Sequence, residues 1–439
     1  MYIAVDDTDS RNGMCTTYLL SEIIIRSGMD LIGYPHLVRL NPAIKHKTRG
    51  NGALCAKLGR GKGVPLKIGR FNGMDLMSYP HEEDGPQATD LIHLASEVVE
   101  EMAVLDEYDT NPGIVFSTSK FDPSFYWKAV REEVSIHEAE AFITEQGGEY
   151  RKFKNGRGII GAAAAIAWPA KNVTYEFLAY RFPNGLPVAS DLKLRVARLA
   201  DQIPGSFNNI DNRNNHAATF PRERTPVVLG IRGTQPESLL GEAPEIVATT
   251  GLGVERYLLF RTNQATDDHI IPDPEMLRDG CSYSIAGTVK GQPYSITGGH
   301  YFATLQNRHM ELAIAAFEPT KEFRTAFSKM ASGDDIRVYG TYKNKCLNVE
   351  KMEVKALSDV YIRTPPTCRE CGDRMHSRGR NDYRCHSCGS KESLASYELK
   401  PREIHAGKFD VPVMSRRHLS RPFELDMCDV VGAPAEVYA

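Results

Sequence analysis

Hydrophobic positions in the first part of the chain follow the spacing of strands in some stretches and of helices in others. Ile3, Ala4 and Val5 are consecutive apolar residues that suit a buried strand, whereas apolar residues in 89–103 recur on one helical face. The predicted elements are, in order, strand Tyr2–Val5, helix Thr16–Arg26, strands Leu31–Leu40 and Gly52–Leu58, helix Thr89–Ala103 and strand Gly113–Ser117. This βαββαβ order predicts a split α/β sandwich over residues 1–120.

A second α/β region is predicted over residues 121–235. Its elements are helix Ser124–Gln146, a run of small residues from Gly158 to Ala167 that favours close packing, strand Tyr175–Arg181, helix Asp191–Ile203 and strand Thr225–Gly230. Gly233–Pro244 is then predicted to be a linker.

Short strand patterns dominate residues 246–360. The predicted strands are Arg256–Thr262, Tyr283–Val289, Tyr301–Gln306, Met310–Phe317, Asp335–Tyr342 and Cys346–Val354. With a helix predicted over Lys321–Met330, five of these strands fit an OB-fold barrel, which commonly binds single-stranded nucleic acid.

Three carboxylates, those of Asp6, Asp7 and Asp9, directly follow the first predicted strand. Like charges at this spacing stay ionised together only if a cation lies among them. Oxygen ligands of this kind suit Mg²⁺, which also binds substrate phosphates. The helix predicted to begin at Cys15-Thr16-Thr17, capped by one of these residues, would place a phosphate-favouring N-terminus beside the metal. The alternative is that these are ordinary turn and capping residues.

Glycine and basic residues are concentrated between Lys45 and Arg70. Glycine lets backbone amides approach an anion, and Lys or Arg neutralises its charge. The candidates for nucleotide binding are Arg49, Gly50, Asn51, Gly52, Lys62 and Lys67. A solvated loop is an equally good interpretation, because no Gly-x-x-x-x-Gly-Lys-Ser/Thr pattern occurs.

Four cysteines near the C-terminus have the spacing of a zinc ribbon. Cys368 and Cys371 are separated by 13 residues from the second pair, Cys385 and Cys388. Four sulfur ligands leave no open position, so the predicted Zn²⁺ is structural and the ribbon spans 364–395. Residues 396–439 form a basic tail, which is either a further nucleic-acid-binding arm or a solvated end.

Composition narrows the class of protein. A net charge of −3 excludes a chain that is basic throughout, although a local basic patch remains compatible with it. Five further cysteines are scattered, which favours reduced thiols over a disulfide framework. No signal peptide and no apolar run of about 20 residues is present, so we expect a cytoplasmic protein with no membrane span.

Seven short motifs occur in one order along the chain. They are Asp6-Asp7-Thr8-Asp9-Ser10, Gly13-Met14-Cys15-Thr16-Thr17, Thr48-Arg49-Gly50-Asn51-Gly52, Gly156-Arg157-Gly158-Ile159-Ile160-Gly161, Tyr175-Glu176-x-x-Ala179-Tyr180-Arg181, Arg261-Thr262-Asn263-Gln264-Ala265-Thr266-Asp267 and the zinc ribbon. Together they resemble the archaeal tRNA(Ile) 2-agmatinylcytidine synthetases over nearly the whole chain.

The resemblance implies a multidomain α+β fold with a kinase-like ATP-binding α/β domain, a ferredoxin-like domain, an OB-fold β-barrel and a zinc ribbon. We assign these to residues 1–120, 121–235, 246–360 and 364–395, followed by the basic tail. It implies a ligase that forms a C–N bond between agmatine and C2 of the wobble cytidine of tRNA(Ile) with a CAU anticodon. The product, 2-agmatinylcytidine, would allow AUA decoding.

The resemblance also implies roles for residues. Asp6, Asp7 and Asp9 would hold Mg²⁺ and ATP phosphates, and Thr16 would take up phosphate from ATP, which is consumed to AMP. Phosphoryl transfer to the C2 oxygen would activate the base for attack by agmatine. Agmatine is a dication, so its pocket needs carboxylates, and Glu176 and Asp211 are candidates. No protein partner is expected to be required.

Two other functions remain open from the sequence. One is a non-catalytic tRNA- or RNA-binding protein built on the OB-fold and zinc ribbon, with the acidic cluster only a turn. The other is a Mg²⁺-dependent nuclease that uses the same aspartates.

Overall fold

The computed structural model describes residues 1–46, 50–83, 90–182, 187–221 and 224–427. The chain divides into two compact units. The first comprises residues 1–284, 340–344 and 410–439, and the second comprises 285–339 and 345–409.

The strands up to residue 272 belong to the first unit. They are β1 (Tyr2–Asp6), β2 (Asp30–Ile32), β3 (His36–Arg39), β4 (Gly52–Gly59), β5 (Gly61–Lys62), β6 (Leu66–Phe71), β7 (Met74–Tyr79), β8 (His81–Glu82), β9 (Gly113–Ser117), β10 (Glu149–Lys152), β11 (Thr174–Arg181), β12 (Ser206–Phe207), β13 (Ile210–Asp211), β14 (His216–Ala217), β15 (Val227–Gly233), β16 (Val254–Thr262) and β17 (Ile270–Pro272). The helices are α1 (Thr16–Ser27), α2 (Leu91–Met102), α3 (Ser124–Arg131), α4 (Ile136–Glu145), α5 (Gly158–Ala167), α6 (Ser190–Ala200) and α7 (Pro236–Thr250).

One large sheet organises this unit, with strand order β10-β9-β1-β4-β2-β7-β6-β16-β11-β15-β12 and β3 paired to β4 and β16. β1 lies between β4 and β9 and is antiparallel to both. Ile3 and Val5 pack with residues of α1 on one face, and Ala4 packs with the alanines of α5 on the other. Because side chains alternate across a strand, both faces of β1 are covered, and its C-terminal end at Asp6 leads out of the core.

The predicted helix Ser124–Gln146 is wrong as one element, because the chain breaks between α3 and α4. The Ser135 hydroxyl accepts a hydrogen bond from the Glu138 N–H at 3.2 Å, and the Glu138 carboxylate accepts one from the Ser135 N–H at 2.8 Å. This capping box starts a new helix. The break brings Glu132 and Glu133 to the wall of a cavity described below.

Other elements also differ from the predictions. The linker predicted over Gly233–Pro244 is wrong, because α7 begins at Pro236 and contains Pro244. Proline at a first helical position suits a helix start. The strand predicted over Leu31–Leu40 is two strands, β2 and β3, with Gly33 between them at φ 68°.

The remaining strands are β18 (Ser282–Ile296), β19 (His300–Gln306), β20 (Glu311–Ala316), β21 (Asp335–Lys343), β22 (Cys346–Ala356), β23 (Tyr361–Thr364), β24 (His376–Gly379), β25 (Asp382–Arg384), β26 (Lys391–Glu392), β27 (Ser396–Leu399) and β28 (Gly407–Asp410), with helix α8 (Lys321–Ser328) after β20. The sheet order β17-β18-β19-β20-β22-β21 closes into a barrel, because β18 also pairs with β21. The predicted closed barrel is therefore confirmed. β16 instead belongs to the large sheet, paired with β11 and β6.

No helix in the described part of the chain combines the length and apolar character that crossing a bilayer would require.

Candidate active site

A cavity of about 790 Å³ lies in the first unit at the C-terminal end of β1. Seven predicted site residues from three motifs line it together. They are Asp6, Asp7, Asp9, Thr16, Gly50, Asn51 and Gly52. The fold therefore gathers most of the predicted site around one space.

The three carboxylates occupy a tight turn at the end of β1. Asp7 has a left-handed backbone (φ 58°), and the Asp6 carboxylate accepts a hydrogen bond from the Asp7 N–H at 2.7 Å. Burial raises the pKa of Asp6 well above its usual value, and the neighbouring charges of Asp7 and Asp9 raise it further. Burial also raises the pKa of Asp7, against the opposing effect of Arg157. A bound cation would favour the ionised forms of Asp6 and Asp7 and so oppose both of these shifts.

Arg157 places one positive charge beside this cluster. Its Nη2 atom lies 2.9 Å from Oδ2 of Asp7, and the Arg157 side chain is 22% exposed. Arg157 directly precedes α5 and also lines the cavity. Asp7 is thus held from the side of α5.

Two glycines allow the first turn of α5 to approach the acids. A Cβ atom on Gly158 would lie 2.3 Å from the carbonyl oxygen of Asp6, and one on Gly161 would lie 1.9 Å from Oδ2 of Asp6. Real Cβ contacts are essentially never this short, so a larger residue at either position would force part of Asp6 to move. The close packing predicted for this run is confirmed: its two glycines contact Asp6, and its alanines pack with Ala4 of β1.

We expect Gly161→Ala to lower activity by about 100-fold, because the added methyl displaces the Asp6 carboxylate by about an ångström or more. The matched control is Gly241→Ala in α7, where a Cβ meets nothing within 4 Å. The control should retain activity and melt at the same or a higher temperature. Equal activity of both variants would contradict the role given to Gly161.

Helix α1 points its first turn at the same cavity. Cys15 is the N-cap residue, but its side chain makes no capping hydrogen bond, and its Sγ lies 3.1 Å from the hydroxyl of Thr17. Thr16 and Thr17 are buried and line the cavity. The free N–H groups of this first turn favour an anion there.

The remaining predicted nucleotide-binding residues are in different places. Arg49 lies outside the described residues. Lys62 is in β5 and Lys67 in β6, where the Lys67 ammonium is 2.7 Å from the Asp75 carboxylate. Neither lysine is among the described residues that line the cavity, and their contact with a nucleotide stays a prediction.

Glu176 sits in the cavity wall in a network of buried polar groups. Its carboxylate lies 3.1 Å from Arg232 and 3.7 Å from Arg39, and accepts a hydrogen bond from the Gln264 side chain at 2.6 Å. Two arginines already balance this charge. Asp211, the other candidate for agmatine, is not among the described lining residues and accepts hydrogen bonds from Asn214.

The C-terminal segment is part of this site, which the sequence did not show. Ala265 and Asp267 donate backbone hydrogen bonds to the carbonyls of His418 and Leu419 at 2.8 and 2.9 Å. Nδ1 of His418 lies 2.9 Å from Oε1 of Gln264, and both Arg417 and His418 line the cavity. Of the two interpretations of the basic tail, a solvated end does not describe residues 410–425. The only sequence signal was the cluster Arg416-Arg417-His418.

The four cysteines of the second unit converge as predicted. The Sγ atoms of Cys368, Cys371, Cys385 and Cys388 lie within 4.8 Å of one another. Cys368 to Cys388 is 3.5 Å and Cys371 to Cys385 is 3.4 Å. Four converging sulfur atoms suit structural Zn²⁺, which four cysteine thiolates bind tetrahedrally.

We expect Cys371→Ser to release zinc and to unfold the ribbon alone. Metal content and circular dichroism check this. Cys346→Ser, a half-buried free cysteine in β22, is the control and should retain its zinc. If Cys371→Ser lost the whole cooperative melting transition, the prediction that the ribbon unfolds independently of the rest of the protein would be wrong.

Comparison with known proteins decides the family. The chain is 47% identical over 426 residues to the 2-agmatinylcytidine synthetase TiaS of Thermoplasma volcanium, an enzyme named for an isoleucine tRNA, covering 97% of each chain. The chain belongs to the TiaS family. The TiaS TCKD domain model matches residues 2–155, the TiaS FLD domain model matches 156–269, and the TiaS C-terminal zinc ribbon model matches 365–404.

Two solved TiaS structures resemble this one along the whole chain. A crystal structure of TiaS in complex with its isoleucine tRNA and ATP matches with a TM-score of 0.79 at 31% identity, covering 100% of this chain and 99% of that one. A second complex, with the same tRNA, AMPCPP and agmatine, matches with a TM-score of 0.78 at 30% identity and the same coverage. The resemblance of the motifs to this family is therefore confirmed.

Proposed function

We propose that this protein is an ATP-dependent ligase that joins agmatine to C2 of the wobble cytidine of tRNA(Ile) with a CAU anticodon, giving 2-agmatinylcytidine. Its substrates are that tRNA, agmatine and ATP. The observation that carries the proposal is the full-length similarity to TiaS, together with a cavity that Asp6, Asp7, Asp9 and Thr16 line together. The same motif residues that identify the family thus surround one space.

We assign Mg²⁺ to Asp6, Asp7 and Asp9. Asp7 is buried and Asp6 and Asp9 are half-buried, and the charges of Asp7 and Asp9 raise the pKa of Asp6, a repulsion that a divalent cation would relieve. When bound, Mg²⁺ supplies charge neutralisation for triphosphate oxygens. Arg157 restrains the Asp7 carboxylate at 2.9 Å, and the first turn of α1 offers N–H groups to a phosphate. Thr16, at the start of that turn, is the hydroxyl that receives phosphate.

The proposed reaction explains why charged side chains outnumber nucleophilic ones in the site. The C2 carbonyl of cytosine is a poor electrophile, and transfer of a phosphoryl group to its oxygen turns that oxygen into a leaving group. Phosphoryl transfer needs positioning and electrostatic stabilisation. The target base must leave any stack to enter the cavity, which suits a nucleotide in an anticodon loop.

We extend the proposal to the finer domain types. The barrel order β18-β19-β20-β22-β21, with β20 and β22 parallel and α8 preceding β21, supports an OB-fold. The kinase-like and ferredoxin-like types, and the boundaries at 120 and 235, stay predictions.

Transfer of radiolabelled agmatine to tRNA tests the function. Label should enter tRNA(Ile) only with ATP, and should be absent from the same tRNA with its wobble cytidine replaced by uridine. Strand cleavage with Mg²⁺ and no ATP would favour the nuclease instead. Binding of tRNA with no ATP consumption and no label would favour the non-catalytic RNA-binding protein.

A further inference from the structure

A second, smaller cavity of about 150 Å³ adjoins the first in the same unit and shares Arg232, Arg417 and His418 with it. Arg416 and His216 also line it, and its described lining contains no carboxylate. Its volume is below the range of about 300–1,000 Å³ that small-molecule ligands occupy. A group the size of a phosphate fits it better than a nucleoside or agmatine does.

The arginines are fixed in place by their own partners. Arg416 is 8% exposed and donates to the Asn208 side chain and, at 3.2 Å, to the Val411 carbonyl. Its buried Nε has no hydrogen-bond partner within the described residues. Arg417 donates to the hydroxyl of Thr341. Rigid donors of this kind recognise phosphate oxygens well.

Nearby carboxylates offset part of this charge without entering the lining of the small cavity. Glu176 is shared between Arg232 and Arg39, at 3.1 and 3.7 Å. Asp410 and Glu424 each lie 3.9 Å from Arg416, a separation that is long for an ion pair, and the Glu424 side chain is 69% exposed. The groups that face the small cavity are therefore mainly donors, which suits an anion.

We propose that this basic cavity binds a backbone phosphate of the tRNA, next to the nucleotide whose base enters the large cavity. The proposal rests on the function proposed above. The acids of the β1 turn and Thr16 line the large cavity and are not among the lining residues of the small one, so the proposed ATP phosphates and the anion of the small cavity would have different contacts. The phosphate adjoining an extruded cytidine is the anion that must lie near the base and be held with it.

The test measures the tRNA(Ile) affinity of Arg417→Gln between about 50 and 200 mM salt. Each phosphate contact contributes about 0.7–0.9 to the slope of log K against log salt, so the slope should fall by about that amount. Arg417→Lys should restore most of the slope, and the exposed Lys171→Gln, which lines neither cavity, should leave it unchanged. ATP affinity, measured without tRNA, should be unchanged in Arg416→Gln, because Arg416 lines the small cavity and is not among the lining residues of the large one.

An unchanged salt slope in a folded Arg417→Gln would overturn the proposal. So would weaker ATP binding by Arg416→Gln, since the phosphate would then belong to the nucleotide. Wild-type protein that binds tRNA(Ile) but transfers no agmatine would overturn the proposed function alone, whereas the slope would still report on the phosphate contact.

Discussion

Asp7→Asn is expected to reduce ATP-dependent agmatine incorporation by about 100-fold or more, while tRNA affinity stays nearly unchanged. The carboxylate of Asp7 lines the cavity and lies 2.9 Å from Arg157. Asparagine keeps the shape and tolerates the left-handed backbone at φ 58°, so the turn should fold. What disappears is one negative charge at the proposed cation site.

Initial rates with saturating tRNA, and affinity from filter binding, separate the two effects. Asp106→Asn removes an exposed carboxylate that does not line the cavity, and it should behave as wild type. If Asp7→Asn turned over ATP at the wild-type rate, the proposed cation site would be wrong, and the acidic residues would be ordinary turn residues.

The second large effect is expected from Thr16→Ala, which should lower phosphate incorporation into the protein by about three orders of magnitude or more. Loss of the hydroxyl removes the acceptor atom and leaves the helix start intact, because Cys15 rather than Thr16 is the N-cap residue.

Thr17→Ala is the companion variant. Thr17 is as buried as Thr16, and its hydroxyl lies 3.1 Å from Cys15 Sγ. Label from γ-labelled ATP should persist in Thr17→Ala and map to Thr16. Label that persists in Thr16→Ala, or that maps to Thr17, would overturn the assignment.

Sequence patterns correctly predicted the helices and strands that are determined by residues close together in the chain. The strand that ends at Asp6, the helix that starts at Thr16 and the strand Gly113–Ser117 follow directly from runs of apolar residues and turn signals. The zinc ribbon followed from cysteine spacing alone. Each of these depends on residues close together in the chain.

These local patterns do not predict which distant strands pair with one another in a sheet. β16 looks like any other short strand, yet it pairs with β11 and β6 in the large sheet. Asn263 donates to the Arg39 carbonyl and accepts from its N–H, at 2.8 and 2.7 Å. The motif Arg261–Asp267 was thus visible in sequence, but its role in joining β3, Glu176 and the C-terminal segment depends on tertiary contacts.

The site was predicted best where chemistry constrains residue types. Clustered acids repel one another unless a cation or a buried contact holds them, and the structure places Gly161 against Asp6. The function of the basic residues between Gly59 and Arg70 could not be predicted, because such residues are equally common on the exposed surface of a hairpin. β6 and β7 form that hairpin, with Lys67 paired to Asp75.

Mass spectrometry of nucleosides from tRNA(Ile), after incubation with the protein, ATP and agmatine, tests the central claim most directly. We predict that the wobble cytidine becomes heavier by one agmatine less one water, and only when ATP is present. An unmodified wobble cytidine, in the presence of both ATP and agmatine and with the protein folded, would contradict the account.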